Sequence, residues 1–301
     1  KGEVYEHIYG LTTSQRVYGT VRENQLGHGP CYLQTSGITS EQDRDLLKAY
    51  LNMAPSQTLK WIENGKMPSE QDVEIQGTEP YIVGGHTASG FWVDTKRKTT
   101  IHGLYAAGDV AGGCPQKYVT GALAEGKIAS FAIIEQLKSD SDETTSTIEK
   151  QAQVILKDYE KIRSTQNGLF TIDDLEEAMQ KVMDEYAGGI ASNYQFNEKQ
   201  LKLAEEKIAR LSELAEQIGA EDMHELLFAY ELKERLLVCQ VLIEHLKNRK
   251  ETRWHSFNEN LDHPETDEKF EKYVNSRMED GKLHILFRDL IKGDTYEHTN
   301  S

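Results

Sequence analysis

Gly103-Leu-Tyr-Ala-Ala-Gly-Asp-Val-Ala-Gly-Gly113 is the stretch on which the reading of this chain turns. It predicts a short apolar strand, Leu104 to Ala107, stopped by Gly108 and an acid, Asp109. A Gly-rich turn follows, and then a helix over Gly121 to Leu137. Gly108 removes the Cβ that would keep a ligand from the backbone. The Asp109 carboxylate can accept hydrogen bonds from the hydroxyls of a polyol-bearing cofactor. Thr120 is expected to cap the helix, which leaves the amides of Gly121, Ala122 and Leu123 pointing at whatever lies in front of it. Such an end favours negative charge by roughly 0.3–1 kcal/mol. A reduced flavin carries its negative charge on the N1/C2=O2 edge, so the arrangement suits that cofactor.

The rest of the chain bounds this reading. A length of 301 residues permits two domains. A formal charge of −16 argues against a nucleic-acid footprint. No apolar run approaches the roughly 20 residues of a membrane span. Cys31, Cys114 and Cys239 show no Cys-x-x-Cys spacing, so neither a metal site nor an iron–sulfur cluster is expected on this chain. Unpaired thiols fit a reducing, cytoplasmic setting. No Gly-x-Gly-x-x-Gly turn follows a strand, although a flavin dinucleotide normally needs one for its pyrophosphate. The chain, which starts at Lys1, is therefore expected to supply the second part of an FAD site, the nucleotide half lying upstream or on another chain.

The expected fold class is α+β or α/β: a partial capping domain and an FAD-domain segment, then a C-terminal helical bundle and a terminal β-hairpin. Residues 1–77 mix strand-like pieces (Gly2 to Gly10, and an extended run after Gly27-His-Gly-Pro30) with helices over Ser14 to Gln25 and Ser40 to Asn64. The second of these is capped at Ser40 and interrupted near Pro55. Residues 78–138 are the FAD-type segment, in which Leu123, Ile128, Ala132 and Ile133 suggest packing on a sheet. Ser139 to Thr147 is acidic and hydroxyl-rich and reads as a linker. Residues 148–254 form the bundle, with helices over Ile148 to Ile162, Ile172 to Tyr186, Asn197 to Ile218 and Asp222 to Asn248. In the third, Leu201, Ala204, Ile208, Leu211, Ala215 and Ile218 recur every three or four residues. The fourth is apolar on more than one side and is expected at the centre. Residues 255–301 form a tail with a hairpin around Met278-Glu-Asp-Gly-Lys282.

Several pieces together resemble the flavoprotein superfamily of succinate dehydrogenase and fumarate reductase, and within it the alpha subunits of dissimilatory adenylylsulfate reductases. They are Thr78-Glu-Pro-Tyr-Ile-Val-Gly-Gly-His86, Gly90-Phe-Trp-Val93, Lys117-Tyr-Val-Thr-Gly121, Glu125-Gly-Lys-Ile-Ala129, Met183-Asp-Glu-Tyr-Ala-Gly-Gly-Ile190, Asn197-Glu-Lys199, His224-Glu-Leu-Leu227 and Arg249-Lys-Glu-Thr-Arg-Trp254. Gly27-His-Gly-Pro-Cys-Tyr-Leu33 resembles the end of that family's capping domain. The resemblance implies FAD, shared with the nucleotide half, and reduction of adenylylsulfate to sulfite and AMP, or the reverse, through a flavin N5–sulfite adduct. It also implies a ferredoxin-like beta subunit that holds the iron–sulfur clusters, with no metal on this chain.

By position in the family pattern, His86 and Arg16 are the catalytic candidates: His86 as a polar or acid–base contact, Arg16 as the partner of an anionic substrate. A guanidinium grips sulfate or phosphate oxygens bidentately, and an aromatic such as Tyr118 suits adenine. Gly85, Gly108, Asp109, Thr120, Gly121, Ala122 and Leu123 are the cofactor-binding candidates. Arg249 to Trp254 offers a surface for an iron–sulfur partner, or simply a solvated helix end. Arg22 is expected to pair near the Gly-His-Gly-Pro turn. Fumarate or succinate chemistry is the alternative; Pro80 and Lys117 stand where that family usually has a substrate histidine and arginine. A non-catalytic assembly role is the third reading.

Overall fold

The computed structural model describes residues 13–75, 90–112, 119–138, 145–165, 169–253 and 258–290, which belong to two compact units, Lys1–Pro80 and Tyr81–Ser301. The strand expected over Gly2 to Gly10 and most of the linker expected over Ser139 to Thr147 lie outside the described residues.

In the first unit, α1 (Thr13–Gln25) leads into β1 (Cys31–Leu33), then α2 (Ser40–Met53), α3 (Pro55–Glu63) and β2 (Val73–Ile75). The two strands pair antiparallel, with Cys31 opposite Ile75 and Leu33 opposite Val73. Pro55 ends one helix and opens the next, as proline at a first helical position should. The cap of α2 is Thr39, not Ser40: its side chain accepts the Gln42 amide while Gln42 reaches back to the Thr39 backbone. Trp61 is fully buried at the centre. Its ring N–H donates to the Gln71 carbonyl at 3.2 Å, and Tyr50 meets its ring edge-on. Buried Asp43 accepts both the amide and the hydroxyl of Ser69. Glu23, buried, rather than Arg22, pairs with the Gly-His-Gly-Pro turn, at 2.7 Å from His28 Nδ1; the Arg22 guanidinium bonds Gln25 instead.

The second unit contains α4 (Val119–Leu137), α5 (Thr145–Ser164), α6 (Ile172–Tyr186), β3 (Gln195–Phe196), α7 (Glu198–Ala215), α8 (Met223–Asn248), β4 (Glu259–Asn260), β5 (Lys272–Glu279) and β6 (Lys282–Asp289). Helices α6, α7 and α8 begin on side-chain caps from Thr171, Asn197 and Asp222, each contributing about 1 kcal/mol. All six residues of the predicted α7 stripe are buried. They join Leu175 and Met179 of α6 and Leu232 and Leu236 of α8 in one core, each large apolar side chain adding roughly 1.5–3 kcal/mol of burial. Only one side of α8 faces that core: Leu227, Leu237 and Val238, on its other sides, remain exposed.

The terminal hairpin is tighter than its sequence suggested. β5 and β6 pair over their whole length, Lys272 with Asp289 through Glu279 with Lys282. Only Asp280 and Gly281 turn the chain, at φ of 49° and 73°, the pair of positive angles that a two-residue hairpin turn of matching twist requires. The hairpin's inner face meets α8, where His245 Nε2 lies 3.0 Å from Ser276 Oγ. Among the described residues no helix is long and apolar enough to cross a membrane.

Candidate functional site

Backbone angles and two long-range contacts build the site around Gly108. The chain arrives extended at Ala107 and turns at Gly108, φ +75°, into a single 3-10 turn, Gly108–Val110. A Cβ on Gly108 would stand 3.2 Å from the Ala122 methyl, so the turn rests directly on α4. The Gly108 amide is not aimed at a ligand; it donates to Glu125 Oε2 at 2.9 Å in a buried site. Glu125 is itself 6% exposed, on a helix whose other buried residues are Ala129 and Ala132. Arg97 Nε stands 3.3 Å from its other oxygen, close enough for an ion pair but not aligned as a hydrogen bond. Glu125 thus holds the turn from beneath. Asp109, next in sequence, is exposed.

A second backbone pairing flanks the turn. The Phe91 amide donates to the Val110 carbonyl at 2.7 Å, and the Gly112 amide to the Phe91 carbonyl at 2.8 Å. Gly90 sits so close to this segment that a Cβ there would come within 2.6 Å of the Val110 oxygen, at a φ of +152°. The Gly-Phe-Trp-Val and Gly-Asp-Val-Ala-Gly motifs are therefore adjacent strands of backbone around one turn.

The expected strand Leu104 to Ala107 is not formed: Tyr105 makes one isolated antiparallel bridge to Lys98. Its partner is the chain just before it, folding back through a short loop, so no longer ladder develops. The helix after the turn starts at Val119. Thr120 accordingly stands inside the first turn and does not cap it, and the amides without an intrahelical acceptor are those of Val119, Thr120 and Gly121. Ala122 supplies a methyl against Gly108, and Leu123 is exposed. Ile128 and Ile133 are exposed as well. The turn and residues 94–105 lie along α4 where a sheet was expected: Tyr105 OH donates to Gln136 at 2.5 Å and Lys96 pairs with Glu135 at 2.8 Å.

Gly85, His86 and Tyr118 lie outside the described residues, as do Cys114 and Trp254. Arg16 belongs to α1, and its side chain is outside them too. The structure therefore brings together Gly108 and Ala122 of the predicted set, with Asp109, Thr120 and Gly121 adjoining in the chain. Glu125 was missed as a site residue; its one signal was a carboxylate on the same helical face as the small residues Ala129 and Ala132. A cavity of about 510 Å³ opens between residues 98–105 and Ala132 to Gln136. It lies roughly 16 Å along the helix from the first-turn amides and is a different place.

The cluster after α8 is an internal knot. The Glu251 side chain is fully buried. It accepts from Arg249 at 2.7 Å, from Arg253 at 2.9 Å through each oxygen, and from the Asp267 amide. Both guanidinium groups also reach main-chain carbonyls, Arg249 those of Phe270 and Lys272, Arg253 that of Asp267. Neither guanidinium belongs to a simple solvated helix end: both hold the tail, while remaining partly exposed. Cys239 is half-buried on α8, and this desolvation pushes its thiol up to about 11, which disfavours the reactive thiolate. No group of three His, Cys, Asp or Glu suited to a metal ion occurs among the described residues.

Residues 176–297 match the family model described as fumarate reductase flavoprotein C-term. Over that stretch the chain is similar to the flavoproteins of the fumarate reductase and succinate dehydrogenase group. Within that group it is similar to the adenylylsulfate reductase subunit alpha of Megalodesulfovibrio gigas, at 28% identity over 94% of this chain and 49% of the relative. The solved adenylylsulfate reductase of Archaeoglobus fulgidus superposes with a TM-score of 0.78 at 26% identity, covering 95% of this chain and 51% of that one. A solved adenosine-5-phosphosulfate reductase in covalent adduct with sulfite gives 0.77 at 27% identity, over 95% and 51%. The chain spans about half the length of the curated relatives it matches.

Proposed function

We propose that this chain forms the C-terminal part of an FAD-dependent oxidoreductase that interconverts adenylylsulfate with sulfite and AMP. The observation that carries the reading is the Gly108 turn, seated on α4 by Glu125, with Asp109 exposed beside the helix start. The residues fit the cofactor: the turn brings backbone close, and the first amides of α4 favour the negative edge of a reduced flavin. When bound, FAD would supply the electron pair for the reaction.

This chain's residues then bind, orient and protonate. Asp109 accepts hydrogen bonds from the cofactor's polyol hydroxyls, and the amides of Thr120 and Gly121 hold its anionic edge. Arg16 pairs with the sulfate or phosphate oxygens of the substrate, Tyr118 offers a face to adenine, and His86 holds or moves a proton at the reacting end. Gly85 leaves room for the cofactor beside it. A small iron–sulfur subunit would deliver electrons. Support for this substrate comes from the similarity to adenylylsulfate reductases over nearly the whole chain.

The test is made on the complete protein, this chain together with its nucleotide-binding half. It should purify yellow. Its photoreduced flavin, offered adenylylsulfate and fumarate in turn, should be reoxidised by adenylylsulfate. Reoxidation by fumarate alone would move the assignment to dicarboxylate chemistry, and a colourless protein would favour an assembly role.

A further inference from the structure

Arg288, on the tail, reaches back to Trp92 of the flavin-type segment. It stands on β6 directly opposite Tyr273 of β5. Its guanidinium carbon lies 3.8 Å from the centre of the Trp92 ring and 5.1 Å from that of Tyr273. The side chain is also tied down at its stem, with Nε donating to Asn275 Oδ1 at 2.7 Å. A planar cation held at that distance over an indole is an energetically significant stack. The hairpin's opposite face meets α8 through Ser276 and His245. One side of the hairpin is thus anchored on the bundle, and the other holds Trp92.

Trp92 follows Phe91, whose amide and carbonyl bond Val110 and Gly112 on either side of the segment that leaves the Gly108 turn. Arg288, Trp92, Phe91 and the Val110–Gly112 backbone form a continuous physical path from the end of the chain to that turn. Two supports then meet there: Glu125 from α4 below, and the hairpin from the side.

We propose that Arg288 is a positioning residue for the cofactor turn, acting through Trp92 to hold the Gly90–Val93 backbone against Val110–Gly112. The functional half of this proposal rests on the FAD reading above; the mechanical half does not. Lysine keeps the charge but lacks the planar face and the Nε donor, so Arg288→Lys should recover only part of the effect.

Two measurements test it. Amide exchange in Arg288→Ala should speed by about tenfold at Phe91 and Gly112 while the α7 and α8 core amides keep their protection. In the complete holoprotein the same change should weaken FAD binding by about tenfold and shift the flavin reduction potential, with Arg288→Lys intermediate. Arg277→Ala is the control: it lies on the same hairpin and, among the described residues, pairs locally with Glu279 at 2.7 Å, and should do neither. If Arg288→Ala does not fold, Asn275→Ala, which frees the stem alone, should move both readouts the same way by less. Unchanged exchange at Phe91 and Gly112 overturns the proposal. So does faster exchange with FAD affinity and potential unaltered. A wild-type protein that takes up no flavin overturns the FAD reading, and the functional half with it, while the exchange result still decides the mechanical tie.

Discussion

Glu125 and Gly108 stand 17 residues apart in sequence and meet at 2.9 Å, a buried carboxylate accepting a buried amide. The contact converts a loose Gly-rich turn into a fixed one. It also explains a charged residue on the inward side of α4, whose other buried residues are Ala129 and Ala132. Glu125→Ala would leave the Gly108 amide without its acceptor and the Arg97 guanidinium without its ion-pair partner, a loss of about 1–3 kcal/mol. Glu125→Gln, which keeps an acceptor oxygen, should lose less. Urea unfolding midpoints of the two variants measure the difference, and equal midpoints for Ala and wild type would sink the assignment.

Gly108 is constrained twice. Its φ of +75° and the Ala122 methyl beside it both oppose a side chain. Gly108→Ala should cost about 1–2 kcal/mol for the left-handed backbone alone, with the 3.2 Å approach to Ala122 adding to it. Flavin occupancy of the complete protein should fall in parallel. Thermal unfolding and the ratio of flavin to protein absorbance provide the two readings.

Glu251 makes the tail's stability depend on acid. Burial pushes its carboxyl up, but the hydrogen bonds from Arg253, the Asp267 amide and Arg249 outweigh it and hold the group below the usual carboxylate range. The folded chain therefore keeps this proton off where the unfolded chain would bind it. The stability so contributed is present above the ordinary glutamate value and is lost as pH falls through the folded one. Glu251→Gln should cost about 1.5–3 kcal/mol at neutral pH, in the range of one hydrogen bond to a charged group. It should also flatten the unfolding midpoint below pH ~5. A variant with wild-type acid sensitivity would show that another carboxylate is responsible.

His245 titrates in the opposite chemical sense but with the same dependence on pH. Burial and the nearby Arg249 charge lower its pKa, against a smaller opposing pull from Glu244. The neutral ring is the one that fits against Ser276 between α8 and the hairpin. Stability from this site is complete above the ordinary histidine value of 6.5 and falls as the pH drops from there through the folded value. His245→Asn should reduce the change in unfolding midpoint between pH ~7 and pH ~5. Amide exchange across β5 should report the same loosening in the wild type at the lower pH.

Much of the bundle was legible along the chain, because its determinants are local or periodic. The α7 stripe, the helix starts near Asn197 and Asp222, the break at Pro55 and the Gly281 turn each depend on residues within a few positions of one another. Local reading failed where two local signals competed, as Thr39 and Ser40 did for one cap. It also failed where an element's extent depends on a partner. Tyr105 has the composition of a strand, yet its bridge to Lys98 ends after one residue because the neighbouring chain turns away. Leu123, Ile128 and Ile133 read as a buried face, whereas the side of α4 that is filled carries Glu125, Ala129 and Ala132.

The sequence by itself determined that four helices follow the acidic linker, that a hairpin closes the described chain, and that the backbone turns sharply at Gly108. Periodicity, capping chemistry and glycine's access to positive φ act over a few residues, so their consequences are written in order along the chain. What only the tertiary structure decided is which distant groups meet: Glu125 with Gly108, Arg288 with Trp92, and Arg249 and Arg253 with Glu251. Those pairings are chosen by burial and electrostatics after the elements have packed. A buried carboxylate must find donors and a guanidinium must find acceptors or an aromatic face, and no spacing in the sequence says which.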